Sequence, residues 1–299
     1  METAAEGQRL TAEDQLFLLL QAGRLLTFTR GYAAPEARLC YERAEPLCEA
    51  LNRPALLYLA LLGRRVHSLV TDRLTATMQI AQRLYTLALE QNDAVLLTEA
   101  YGALADTLFW MGEFEAAQWH ARRGVELWRS GAVSAPADSS PALAVVACLC
   151  HGALCEWHLG GVVSSQAAMA EAIAAAKAWK DPYALAAALH FAAILGYLRR
   201  DPAEVERLAS DLIELSTRHH SPFWLAVGEG LHGRARSLSG ETAERPGQDR
   251  ALNSMDAGEG LDTRPAAIPH HKGRNLAPCE SYLRSPSCHS GSRSRGRKL

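Results

Sequence analysis

Apolar residues recur at helical spacing along most of the chain. Examples are the run Leu96, Ala100, Ala103, Leu104 and the run Leu208, Leu212, Leu215. A spacing of three or four residues places these side chains on one face of an α-helix, and no stretch up to residue 240 shows the polar and apolar alternation of a β-strand. The pattern therefore predicts an all-α fold.

Signals for helix starts recur at regular intervals. Polar residues that can cap a helix stand at Thr11, Asn52, Asn92-Asp93, Ser140-Pro141, Asp181-Pro182, Asp201-Pro202 and Ser221-Pro222. Proline suits the first helical position because its missing N–H would have no partner there. Alternate starts at about residues 12, 53, 93, 141, 182 and 222 give a period of about 40, with one longer interval that contains the loop at 130–140.

Two helices in each period of about forty residues are typical of an α-solenoid of stacked helical hairpins. Five hairpins are complete by Leu215, whereas the sixth has a first helix from Pro222 to about Ser239 and no second helix. We expect the hairpins to form a right-handed superhelix with the first helix of each pair on its concave face.

Several runs resemble the tetratricopeptide (TPR) region of large bacterial signalling proteins. In order they are GYAAPE at 31–36, YERAEPLCE at 41–49, LFWMGEFEAA at 108–117, WHLG at 157–160, LRRDPAEV at 198–205 and PFWLA at 222–226. Such proteins join an adenylate/guanylate cyclase or kinase domain to an AAA/NB-ARC-type ATPase module and a helical array. The resemblance covers about residues 11–244 and implies a TPR-like regulatory arm of an ATPase or cyclase signalling system.

The catalytic modules of that class have no counterpart in the sequence. A Gly-x-x-x-x-Gly-Lys-Ser/Thr loop, whose backbone and lysine hold nucleotide phosphates, is missing, as is a strand-borne pair of aspartates for a cyclase. We therefore expect a relative of the helical arm without the catalytic modules, and only the surrounding gene sequence would show whether they are encoded upstream.

Composition changes near residue 241. Residues 1–240 contain 21 basic and 26 acidic side chains, whereas residues 241–299 contain 10 and 7 and have no Val, Phe or Trp. The prediction is a disordered N-terminus at 1–10, a TPR-like domain at 11–240 and a disordered low-complexity tail at 241–299. A reading-frame shift near Glu244 is one explanation for the tail, and a genuine basic tail is the other.

Composition also predicts the compartment. Seven scattered cysteines do not form a secreted disulfide framework, and neither a signal peptide nor a membrane-spanning segment is visible. A net charge of −2 gives no reason to expect binding to nucleic acid or to a membrane. We expect a cytoplasmic protein, and the few lysines among many arginines and alanines favour a bacterial source.

The densest group of chemically active side chains does not predict a metal site. Cys148, His151, Cys155 and His158 share one helical face, but ten residues of helix rise about 15 Å, too far for one ion held at about 2.3 Å. Neither a Gly-x-Ser-x-Gly nor a His-Glu-x-x-His motif is present, and His219-His220 lacks an evident catalytic partner. We expect no cofactor, no metal and no enzymatic activity.

One helix combines tryptophans with arginines, the mixture that binding hot spots favour. Its residues are Trp119, Arg122, Arg123, Trp128 and Arg129. We predict that they form a partner surface.

Three functional interpretations follow. The first is an interaction scaffold for a protein or peptide partner, such as an ATPase or cyclase signalling module. The second is a domain that senses a small ligand, and the third is a truncated gene product without independent function. Because the sixth hairpin lacks its second helix, we also expect self-association through this uncapped end.

Overall fold

The computed structural model describes residues 10–71, 73–133 and 142–239. All of them belong to one compact unit, Met1–Leu261, and a second unit, Asp262–Leu299, lies outside the described residues. The predicted disordered ends, the proposed frame shift near Glu244 and most of the loop at 130–140 also lie outside them. The domain boundaries therefore stay predictions.

The described residues form eleven α-helices and no strand, which confirms the predicted all-α class. The helices are α1 Ala12–Arg30, α2 Pro35–Ala50, α3 Pro54–Val70, α4 Leu74–Glu90, α5 Ala94–Trp110, α6 Phe114–Arg129, α7 Ala142–His158, α8 Val162–Ala178, α9 Pro182–Leu198, α10 Pro202–Arg218 and α11 Pro222–Leu238. Alternate helices begin within about one residue of the predicted starts.

Consecutive helices pack as hairpins, and the first helices of neighbouring hairpins also pack on one another. Helix α5 lies against α7, α7 against α9 and α9 against α11. Over the described ranges, the second helices α2, α4, α6, α8 and α10 show no comparable packing among themselves. We call the side on which the first helices meet the inner face.

Buried apolar side chains form two clusters that follow the array. One includes Leu16, Tyr58 and Leu84 and reaches Leu104 of α5. The other begins at Tyr101 of the same helix and extends to Ala235 of α11. Helix α5 takes part in both, so the core continues from hairpin to hairpin, as expected when a single hairpin cannot bury its own apolar face.

A residue in the left-handed region ends many of the helices. These residues are Gly31, Asn52, Asn92, Gly112, Gly131, Gly160, Lys180, Arg200 and His220. At most of these turns the N–H of the next residue donates to a carbonyl five positions earlier, as from Asp181 to Ala176 at 3.4 Å and from Asp201 to Gly196 at 3.0 Å. This pattern is a Schellman motif, which reverses the chain within a few residues.

Side-chain caps confirm several predicted helix starts and correct others. Thr11 and Asp14 form a reciprocal capping box, and Asp93, Asp181 and Asp201 each accept hydrogen bonds from the first turn that follows. Asn52 was expected to cap α3, but it occupies the left-handed position after α2, and the next residue precedes the helix without a side-chain cap. Ser221 also makes no side-chain cap.

Replacing Lys180 by glycine is expected to stabilise the fold by about 0.5–1 kcal/mol, because glycine adopts the left-handed region without the steric penalty of a side chain. The exposed lysine has φ 54°. Ala174→Gly, at an exposed position inside α8, is the matched control and should destabilise by about 1 kcal/mol. Urea denaturation measures both changes, and a loss of stability in Lys180→Gly would contradict the prediction.

Candidate functional site

A chain of buried charged groups crosses the inner face. Arg65 of α3 donates from Nη1 to Oδ2 of Asp106 on α5 at 2.9 Å, and Nε2 of His151 on α7 lies 3.1 Å from Oδ1. Asp106 and Arg65 are each 8% exposed and His151 is 2% exposed. The indole N–H of Trp110 also donates to Oδ1, at 3.0 Å. One carboxylate thus joins the first helices of three successive hairpins.

The environment of Asp106 favours its ionised form. Desolvation by burial would raise its pKa, but the charge and hydrogen-bonding capacity of His151 and the guanidinium of Arg65 outweigh this effect and hold the pKa below its usual range. Nδ1 of His151 lies 2.8 Å from the carbonyl oxygen of Ala147.

Asp106→Asn is expected to destabilise the fold by about 3–5 kcal/mol, since it leaves the buried Arg65 guanidinium without its counter-charge. Adding Arg65→Met should recover part of the loss by removing that charge. Urea denaturation at pH 7 measures both variants. Because the pKa of Asp106 is lowered, its contribution should persist at and above its ordinary pKa of 3.8 and disappear as the pH falls through the lower folded value.

A second carboxylate on the inner face lacks a partner. Glu99 lies on the same side of α5, two turns before Asp106, and its side chain is partly accessible. Within the described residues it forms neither a hydrogen bond nor an ion pair. Desolvation by burial raises its pKa to about 7, against the opposing attraction of Arg65, and Asp93 adds a smaller rise.

Glu99→Gln is expected to stabilise the protein by about 1–3 kcal/mol at pH 8, because one unit of pKa difference is worth about 1.4 kcal/mol and partial solvent access reduces the effect. The folded state holds a proton between the ordinary pKa of 4.5 and about 7, so stability falls as the pH rises through this range. The increase in stability caused by Glu99→Gln should become smaller as the pH is lowered toward 4.5. Urea denaturation with the exposed Glu126→Gln as control tests this, and a gain that is equal at both pH values would contradict it.

Aromatic rings continue the inner face onto α9 and α11. The ring of His151 lies 4.7 Å from Phe191, and the ring of His190 lies 5.8 Å from that of Trp224. Nδ1 of His190 and Nε1 of Trp224 have no hydrogen-bond partner among the described residues. Desolvation by burial, together with the charges of Arg234 and His151, lowers the pKa of His190 to about 4, so this imidazole is neutral at pH 7.

The loop after α1 reaches this part of the inner face. The ring of Tyr32 packs edge-on against Phe223 at a centroid distance of 4.8 Å, and its hydroxyl meets that of Tyr183. Tyr183 and Phe223 in turn contact Trp224. The first hairpin therefore touches α9 and α11 directly through one aromatic side chain.

Solved structures with the same arrangement of helices share little sequence with this chain. The apo form of RapI matches with a TM-score of 0.53 at 8% identity, over 78% of this chain and 86% of that chain. A Rap protein complexed with Competence and Sporulation Factor matches with a TM-score of 0.61 at 13% identity, over 84% of this chain and 66% of that chain. The fold is that of TPR-like helical repeat proteins.

A third structure is the Signal Transduction ATPase with Numerous Domains (STAND) protein with a tetratricopeptide repeat sensor from Pyrococcus horikoshii. It aligns with a TM-score of 0.47 at 10% identity, over 83% of this chain and 36% of that chain. No protein-family model matches the sequence, and no curated protein shows significant similarity to it.

The predicted tryptophan and arginine surface lies on α6, a second helix of the TPR-like array, and it divides into separate contacts. Trp119 is 42% exposed, and the guanidinium of Arg123 lies 5.9 Å from its ring. Trp128 instead packs toward Trp179 at the end of α8, with ring centroids 6.0 Å apart. Arg129 pairs with Glu171 of α8.

The fifth predicted residue of this surface, Arg122, lies 3.6 Å from Glu156 of α7. Only Trp119 and Arg123 are thus brought into contact with each other.

The cysteines and histidines of α7 serve the packing of the array. Cys148 is buried and donates to the carbonyl of Thr98 at 3.5 Å, and burial raises its pKa to about 12, as it does for Cys155. His158 stacks on Phe114 with a centroid distance of 4.2 Å. In the part of the chain that the structure describes, no three metal-ligating side chains come together. No helix among the described residues is long and apolar enough to cross a membrane.

The inner-face residues could not be recognised as a group from the sequence, because they come from separate hairpins. Arg65, Asp106 and His151 lie more than forty residues apart from one another and share no local motif. The sequence does offer one signal, which is the presence of a charged residue within a largely apolar first helix. Such a residue, as Asp106 is in α5, needs a buried partner. The identity of that partner depends on how the hairpins stack.

Proposed function

We propose that this protein is a non-enzymatic interaction scaffold that binds an extended peptide segment of a partner on its inner face. The observation that carries this proposal is the grouping of polar and aromatic side chains from α5, α9 and α11 on the inner face. They are Glu99, Tyr183, His190 and Trp224. Aromatic rings supply contact area at low entropic cost, and the partly accessible carboxylate of Glu99 has no partner within the described residues.

An extended peptide suits this surface because it presents side chains along a line and has free backbone carbonyls and N–H groups. Tyr183 remains 37% exposed and packs edge-on against Trp224 at a centroid distance of 5.5 Å, so its ring can contact such a peptide. The Rap protein that shares this fold was solved in complex with Competence and Sporulation Factor, which supports a binding role for such an array.

We also propose that the scaffold has a regulatory role in a signalling system. The sequence resemblance to the TPR region of ATPase and cyclase signalling proteins supports a partner of that kind, in a cytoplasmic setting. We also propose self-association through the end of the array at α11, because the sequence predicts no second helix for the sixth hairpin.

The test compares two similarly exposed aromatic residues, one on the inner face and one on α6. A random-peptide phage library is selected on the full chain, and the dissociation constants of the enriched peptides are then measured. Tyr183→Ala should weaken binding about tenfold or more, as expected for an aromatic hot spot, whereas Trp119→Ala should leave it unchanged.

If Trp119→Ala weakens binding and Tyr183→Ala does not, the peptide binds on α6 at the surface formed by Trp119 and Arg123. If the library yields no binder, the peptide-binding role is wrong. In that case, a thermal shift with a small metabolite would support a ligand-sensing domain.

A further inference from the structure

Glu99 differs from the other less exposed carboxylates discussed because it forms no ion pair within the described residues. Glu45, for comparison, is 13% exposed in its side chain and binds both Arg64 and Arg83. Asp106 receives Arg65 and faces His151. Glu99 is withdrawn from bulk water by its neighbours, yet within the described residues it has no hydrogen-bond or ion-pair partner.

The groups that interact electrostatically with Glu99 are paired elsewhere or repel it. Arg65 is the cation that acts on it, but this guanidinium donates to Asp106 at 2.9 Å. The hydroxyl of Tyr58 donates to the carbonyl of Leu96 at 2.9 Å. Asp93, at the start of the same helix, is a further negative charge. The protein therefore leaves a partly accessible carboxylate on its inner face without an ion pair or a hydrogen bond among the described residues, and only the distant attraction of Arg65 opposes its desolvation.

We propose that Glu99 is the subsite for a cationic group of the partner, namely a lysine or arginine side chain of the peptide bound on the inner face. This inference rests on the proposed function. A charge-assisted hydrogen bond is stronger where water is partly excluded, so a cation at this position would gain more than at the protein surface. Contact with Glu99 on α5 would also fix the direction in which the peptide lies, because the aromatic residues Tyr183 and Trp224 lie on other helices of the array.

Binding of a cation should also change the protonation of Glu99. An adjacent positive charge favours the ionised carboxylate and opposes the desolvation that raises the pKa of Glu99 to about 7. Peptide binding near neutral pH should therefore release protons to the buffer. Calorimetry in two buffers of different ionisation enthalpy measures this release, and Glu99→Gln should abolish it.

The decisive experiment uses the full chain and the peptides selected from the random library. These peptides should carry a lysine or arginine at a recurring position, and Glu99→Gln should weaken their binding about tenfold or more, as for a lost hydrogen bond to a charged group. Replacing that peptide residue by glutamine should cause a similar loss with the wild-type chain and little further loss with Glu99→Gln. Glu126→Gln, on the outer helix α6, is the control and should have no effect.

The outcomes separate this inference from the proposed function. Peptides that depend on Tyr183 but lack a cation, or that bind Glu99→Gln as tightly as the wild type, would overturn the role of Glu99 and leave inner-face binding intact. A failure to select any peptide that depends on Tyr183 would overturn both. Glu99→Gln is expected to be at least as stable as the wild type, so loss of folding would not account for weaker binding.

Discussion

The buried carboxylate of Asp106 is the constraint on which the stacking of the central hairpins depends. A charge removed from water must be paired and hydrogen-bonded, and the partners of Asp106 come from three different first helices. Apolar packing alone would tolerate small sliding movements between α3, α5 and α7. The donors around one carboxylate do not, because each must stay within about 3 Å of it.

Glu99 and Asp106 show how position decides the use of the same chemical group. Both lie on one face of α5 and both are desolvated, yet their pKa values move in opposite directions. The difference is the partner: Asp106 contacts the guanidinium of Arg65 and the imidazole of His151, whereas Glu99 forms no ion pair and is attracted by Arg65 only from a greater distance. The first carboxylate therefore organises the array, and the second is left free for an external cation at some expense in stability.

The inner face and the surface of the second helices differ in how far their charged groups are paired. On the outer helix α6, most arginines pair with glutamates of the same or neighbouring helices, as Arg123 does with Glu126 and Arg129 with Glu171. Exposed pairs of this kind contribute little to stability. The inner face, by contrast, holds Glu99, a partly accessible carboxylate without an ion pair or a hydrogen bond among the described residues. This contrast is why the inner face, rather than the surface expected from sequence, is the stronger candidate for binding.

The sequence by itself determined the helices and their order. Proline, aspartate and glycine act within a few residues of where they stand, so caps such as Asp181 and Asp201 mark real helix starts, and the apolar spacing predicts the faces that pack. Local signals have limits even here, since Asn52 ends a helix by its left-handed backbone instead of starting the next one. Only the tertiary structure decided which polar residues meet. Arg65, Asp106 and His151 converge because hairpins about forty residues apart stack in register. The repeat period predicts this stacking, but no local pattern shows which side chains of neighbouring hairpins face one another.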